Sequence, residues 1–367
     1  MLGGRKVRSA GIGRRIAAAL AVLVGLVGAL TGAPTARAAV PATFWGVNPV
    51  AVPTDSQVQQ ISAGGVGTIR VPLNWATIQP AAGVEPDWSS FDTLMEAPAR
   101  YHVQALPVIW GSPSWVTAKP LDLPIAKLAL WDQFLREAVS RYGPNGSFWA
   151  EHSALSPNPL PYEPIRLWQI WNEPNFFYFS NPVSPAAYAK LVVSSHAAIS
   201  AVDPGAKVLL GGMFATPANP PPKAYSAVEF LEGLYARKGV KSSFDGVALH
   251  PYARNTSELG ADIEAVRATM KAHGDSATGL WITEIGWGSA SRGPFQKGVK
   301  GQARELSRSF SLFLAQRQRW RLEGVDWWSL TDDPTPSACN FCNHTGLFTA
   351  GFRPKPAWAR FTAIARR

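Results

Sequence analysis

Eight short apolar runs recur along the chain, separated by stretches with apolar residues at three- and four-residue spacing. The runs are Phe44–Asn48, Thr68–Leu73, Val103–Trp110, Ile165–Trp171, Lys207–Gly211, Phe244–Leu249, Leu280–Glu284 and Gly324–Leu330. Their nearly continuous apolar character is that of strands covered on both faces. The clearest helical stretches between them are Ile125–Arg141, Pro185–Val202, Ala227–Lys238, Ser257–His273 and Gln302–Arg319. Asp55, Ser184 and Ser226 stand where N-caps belong, and Gly143, Gly239 and Gly274 where helices stop. Strands alternating with helices predict a parallel sheet. Eight such units match a single (β/α)8 barrel better than an open sheet. Ser156–Pro164 and Ala215–Lys223, rich in Pro and Asn, read as loops inserted in that barrel.

The first 38 residues stand outside the alternation. Arg5, Lys6, Arg8, Arg14 and Arg15 form a basic stretch without an acid, and Ile16 to Leu30 contains only Ala, Val, Leu, Ile and Gly. Ala36-Arg37-Ala38 follows, a small-x-small site for a signal peptidase. Residues 1–38 are thus expected to be a signal peptide and 39–367 the catalytic domain of a secreted protein. The apolar run is shorter than the roughly 20 residues a span needs, so no stable membrane span is expected after cleavage. The formal charge of +10 includes six basic residues of this segment. Without them the chain carries about +4 and no basic run, which argues against a nucleic-acid partner. The two cysteines, Cys339 and Cys342, lie three residues apart. In an exported protein they are expected to form a local disulfide rather than a redox pair or a metal site.

Polar and aromatic residues gather at the carboxyl ends of the predicted strands: Trp45 and Asn48, Asn74 and Trp75, Trp110 and Trp115, Asn172 and Glu173, His250 and Tyr252, Glu284 and Trp287, and Trp328. In a (β/α)8 barrel these ends open on one face, where active sites lie. Two segments share one design. In "LWQIWNEPNFF" an apolar strand ends in Asn172-Glu173; in "LWITEIGWGS" one ends in Glu284. Two carboxyl groups facing each other across such a mouth are the machinery of glycosidic bond cleavage. Apolar surroundings raise a carboxyl pKa and keep a proton donor protonated near neutral pH.

The ordered set resembles clan A of the glycoside hydrolases, and within it families 5 and 39. The resemblance is carried by Asn172-Glu173-Pro174 after the fourth strand, Glu284 after the seventh, Arg70 in "IRVPLNW", His250-Pro251-Tyr252 after the sixth, and "WSL" at Trp328–Leu330. It implies that Glu173 is the acid/base and Glu284 the nucleophile of a retaining mechanism. It implies further that Asn172 binds the sugar 2-hydroxyl, that Arg70 and Tyr252 keep Glu284 ionised, that His250 touches the sugar or a neighbouring carboxylate, and that Trp328 is the platform under the sugar. Typical family 39 xylosidases carry an extra β-sandwich, for which this chain has no room. Trp75, Trp110, Trp115 and Trp287 are further candidate sugar subsites, whereas Trp131, Trp320 and Trp358 fall on helical stretches and read as packing. Asp332-Asp333 reads as loop. The expected substrate is a β-linked polysaccharide or oligosaccharide, cut by a monomeric endo-β-glycanase that needs no cofactor and no metal. A transglycosylase using the same glutamates, or an inert carbohydrate-binding protein on the same scaffold, are the alternatives.

Overall fold

The inward positions of the strands, which alternate with positions facing the helices, decide how this molecule is built. The computed structural model describes residues 39–335, 339 and 341–366; the expected signal peptide lies outside the described residues. Eight parallel strands close on themselves: β1 (Trp45–Asn48), β2 (Thr68–Asn74), β3 (Gln104–Trp110), β4 (Leu167–Ile170), β5 (Lys207–Leu210), β6 (Gly246–His250), β7 (Gly279–Ile285) and β8 (Leu322–Trp328). β1 pairs with β8, and β5 meets β6 through Leu209 and Gly246, which completes the barrel. A two-residue strand, Met213–Phe214, extends the β6 edge. All eight predicted strands are present, with ends moved by a residue or two.

Eight major helices cover the barrel: α1 (Asp55–Ala63), α2 (Ser89–Arg100), α3 (Leu128–Tyr142), α4 (Pro185–Val202), α5 (Ala227–Tyr235), α6 (Thr256–Ala272), α7 (Gly298–Trp320) and α8 (Pro356–Ala365). Ser184 and Ser226 are N-caps as expected, Ser226 in a capping box with Glu229. Thr54 rather than Asp55 caps α1, because its hydroxyl reaches the Gln57 N–H while Gln57 returns the bond. α2 is not among the clearest helical stretches of the sequence. It contains Pro98, normally a breaker; the proline forfeits the bond its N–H would have given to the Leu94 carbonyl, but so near the C-terminus it leaves little helix beyond it to disturb. Trp131, Trp320 and Trp358 are buried under the helices, as their positions suggested.

Side chains alternate along each strand. Ile69, Val71 and Leu73 of β2, Val247 and Leu249 of β6, and Val325 and Trp327 of β8 join the large core between strands and helices. The alternate residues point into the barrel. At its floor Leu106, Leu209 and Ala248 form a separate apolar cluster with Leu167 and Trp281 packed on it. The Trp281 ring lies where side chains at Gly246 or Gly324 would otherwise stand. Above that floor the inward residues change character: Asn48, Arg70, Gln169, His250, Thr283 and Asp326 are all polar and all buried.

Candidate active site

Arg70 occupies the centre of the polar layer and spends its guanidinium on four neighbours. Nε donates to Gln169 Oε1 (2.6 Å), Nη1 to Asn48 Oδ1 (3.0 Å) and Glu284 Oε1 (2.8 Å), and Nη2 to Asn172 Oδ1 (2.7 Å). Those partners come from β4, β1, the end of β7 and the β4 loop, so one cation ties four parts of the mouth together. With Oδ1 of Asn172 held by Arg70, its Nδ2 remains to donate to a ligand. Tyr252 donates its hydroxyl to the other oxygen of Glu284 at 2.8 Å.

Glu173 has a different neighbour. His250 Nδ1 lies 2.8 Å from Glu173 Oε1, and its Nε2 lies 3.0 Å from Thr283 Oγ1. Burial, followed by the positive charge of Arg70, keeps this imidazole neutral at neutral pH. A neutral ring that donates Nε2–H to Thr283 turns the Nδ1 lone pair toward Glu173, where it accepts the proton of a neutral carboxyl. Gly212 is needed beneath it, since any side chain there would overlap the His250 ring. The backbone at Glu173 adopts φ +39°, and Trp171 φ +68°. Non-glycine residues rarely take these values, at a cost of about 1–3 kcal/mol each, and such strain clusters where geometry serves function.

One carboxylate oxygen of Glu173, one of Glu284 and a ring nitrogen of His250 all lie within 4.8 Å of one another. Burial raises both carboxyl pKa values, but the two sites are not equivalent. Glu173 is pushed well up by burial and then by the Glu284 charge, with only Arg70 opposing. For Glu284, burial is opposed by Arg70 as charge and as donor, and by the Tyr252 hydroxyl. A single proton shared by the pair therefore resides on Glu173, and Glu284 carries the charge. Three such ligating groups so close together also suit a metal ion. The guanidinium bonded to Glu284 opposes a second cation there, so the arrangement reads as a proton-sharing carboxyl pair.

The structure brings together Arg70, Asn172, Glu173, His250, Tyr252 and Glu284. Trp328 is half-buried at the end of β8, and its buried indole N–H has no hydrogen-bond partner. Trp110 is half-buried and packs edge-on to Phe179. Two of the expected subsites are corrected. Trp75 is wholly buried, stacked on Phe134 with its N–H donated to Gln79. Trp287 is wholly buried as well, and donates to the Ala253 carbonyl. Neither offers a face to a sugar. Cys339 and Cys342 are disulfide-bonded, with Cα atoms 5.3 Å apart. Asp332 is tied to Lys355 and the Gly346 N–H within its loop.

Gln169, Thr283 and Asp326 escaped notice as site residues. The signal was present: each is a polar residue interrupting an apolar strand, Gln169 in "LWQIW", Thr283 beside Glu284 in "WITEI" and Asp326 in "GVDWWS".

No family model matches this sequence, and no curated protein matches it. Solved structures do. A family 39 glycoside hydrolase from the gut symbiont Bacteroides cellulosilyticus WH2 superposes with TM-score 0.62 at 20% identity, over 89% of this chain and 64% of that one. A GH39 β-xylosidase from Caulobacter crescentus gives TM-score 0.63 at 19% identity, over 89% and 72%. Native xylanase 10B from Thermotoga maritima gives 0.60 at 14%, over 89% and 95%. This chain spans a little under two thirds of the Bacteroides protein. At these identities the likeness is one of fold, a (β/α)8 barrel.

Proposed function

We propose that this protein is a retaining glycoside hydrolase acting on a β-linked glycoside, with Glu173 as acid/base and Glu284 as nucleophile. The observation that carries the reading is the pair itself: two buried carboxyl groups from β4 and β7, within 4.8 Å at their near oxygens and unequally solvated by Arg70, Tyr252 and His250. Carboxyl groups roughly 5–5.5 Å apart suit double displacement, whereas inverting enzymes need room for a water between them. Glu173 gives its proton to the leaving oxygen as Glu284 attacks the anomeric carbon, forming a glycosyl ester. Glu173, now charged, takes a proton from water, and the hydroxide formed releases the sugar with its original configuration. Asn172 Nδ2 faces the sugar and Trp328 lies beneath it. The site is complete within one chain, and we read the enzyme as a monomer. The basic and apolar leader supports export and cleavage after Ala38.

An endo-acting cleft needs aromatic faces along its length; with Trp75 and Trp287 buried, Trp110, Trp115 and Trp328 are the candidates left half-exposed. The test is sugar release from a panel of β-glycosyl fluorides, aryl β-glycosides, β-glucans, mannans and xylans. At least one should be hydrolysed by the wild type. Glu284→Gln should abolish turnover, and Glu173→Gln should lower it by about 10²–10⁴-fold on substrates with poor leaving groups. Normal turnover in either variant would remove the assignment. The pH profile should be bell-shaped. Activity is lost on the acid side as Glu284 takes a proton and on the alkaline side as Glu173 loses one, the alkaline limb lying well above the ordinary glutamate range.

A further inference from the structure

Beyond the catalytic pair, the loops of the mouth carry a band of phenylalanine that the bond-cleaving chemistry does not use. It begins at Tyr252, whose hydroxyl is already given to Glu284. The Tyr252 ring meets Phe341 at 5.2 Å and Phe214 at 5.9 Å between centroids. Phe214 meets Phe176 at 5.5 Å, Phe176 meets Phe177 at 5.2 Å, and Phe177 stacks on Tyr178 at 4.3 Å. Phe176 and Phe177 are half-buried, and Tyr178 is 57% exposed. A run of large rings left half-covered at a protein surface, with one exposed at its outer end, marks a place for a ligand.

The band is built rather than incidental. Asn175 is wholly buried and clamps the β4 loop to the segments after β5. Its Nδ2 donates to the Phe214 and Tyr225 carbonyls, and its Oδ1 accepts from the Phe214 N–H. Phe177 N–H donates to the Lys223 carbonyl, and Tyr225 N–H to the Asn175 carbonyl. The rings are therefore fixed before any ligand arrives.

Position and chemistry together say what covers it. In double displacement the leaving group takes its proton from Glu173, and Phe176 to Tyr178 are the residues that follow Glu173 in the same loop. Sugar subsites combine a stacking ring with donors and acceptors for hydroxyl groups, but this band consists of four phenylalanines, a committed tyrosine hydroxyl and one outer tyrosine, with the Lys223 amino group at its edge, 6.0 Å from the centre of the Phe177 ring. We propose that the leaving-group side of the site binds an extended apolar aglycone, so that the preferred substrate is an alkyl or aryl β-glycoside rather than an internal bond of a polysaccharide. This rests on the glycosidase reading above and deepens it.

The test uses n-butyl, n-hexyl and n-octyl β-glycosides of whichever sugar is released from the fluoride panel, with phenyl and 4-n-butylphenyl glycosides to separate alkyl from aryl preference. In the wild type kcat/KM should rise about two- to fourfold per added methylene, the value of burying it. The readout in variants is the octyl-to-butyl ratio, which cancels any general loss of activity. That ratio should collapse in the Phe176→Ala/Phe214→Ala double variant. Should that protein fold poorly, Tyr178→Ser at the exposed outer end should lower the ratio alone. A flat series in the wild type, an unchanged ratio in the variants, or faster cleavage of cello- or xylo-oligosaccharides than of octyl glycosides would overturn the inference while glycosyl fluorides are still hydrolysed. Failure on the fluorides themselves would overturn the glycosidase reading, and this inference with it.

Discussion

The floor and the mouth of the barrel are made by the same strands and the same inward-facing positions, yet they obey opposite rules. At the floor Leu106, Leu209, Ala248 and Trp281 fill space by shape alone, with Gly246 and Gly324 making room for the indole. One layer up, on the same faces of β2, β4 and β7, stand Arg70, Gln169 and Thr283, held by directed bonds, with Asp326 of β8 buried beside them. The apolar layer is indifferent to which hydrophobe occupies a position, within limits of volume. The polar layer is not: each member is buried, and removing one leaves its partner unsatisfied at a cost. Both layers therefore contribute stability but only the upper one contributes chemistry, and substitutions above should cost rate as well as stability whereas those below should cost stability alone.

The largest expected effect is at Arg70. Arg70→Ala leaves Glu284 buried without its cation and releases Asn48, Gln169 and Asn172 together. Breaking such a pair costs about 3–5 kcal/mol of stability. Losing a preorganised charge at the reaction centre costs about 10²–10³ in kcat. Denaturant melts and steady-state rates on one substrate measure both, and loss of stability with intact kcat would place Arg70 outside the chemistry. Trp281→Ala should do the converse. The floor loses about 3 kcal/mol, seen as an earlier urea midpoint, while kcat/KM of the folded enzyme at low temperature stays at the wild-type value.

A pH test sharpens the boundary between the layers. Asp326 lies against Gly46, and burial, opposed by Arg70 and aided by the Glu284 charge, pushes its carboxyl up to about 8. Its folded pKa is thus above its unfolded value, so the stability it contributes is full below about pH 4 and is lost progressively as pH rises toward about 8. Asp326→Asn should flatten that part of the stability–pH curve, measured by thermal melts from pH 4 to pH 9. An unchanged slope would show that Asp326 does not titrate with folding.

Much of this was legible beforehand, for physical reasons. The eight strands were readable because strands buried on both faces leave continuous apolar runs. That Glu173 and Glu284 meet at one mouth was readable because both stand at the carboxyl ends of strands, which open on one face of a barrel. The orientation of the tryptophans was not. Trp75 and Trp287 lie beside strand ends in sequence, but whether a ring turns into the helix layer or over the mouth depends on neighbours such as Phe134 and Trp327 that only the fold assembles. The bracing by Gln169 and Thr283 was hidden for the same cause: a single polar residue in a strand declares no partner until the barrel closes.

The central claim is the division of labour between the two glutamates, and trapping tests it most directly. The protein would be incubated with 2-deoxy-2-fluoro-β-glycosyl fluorides of glucose, mannose and xylose, followed by intact-mass and peptide mapping. The account predicts that one of them adds a single fluoroglycosyl group, located on Glu284 and absent in Glu284→Gln. A label on Glu173, or no label from the sugar whose parent fluoride the enzyme readily hydrolyses, would contradict it.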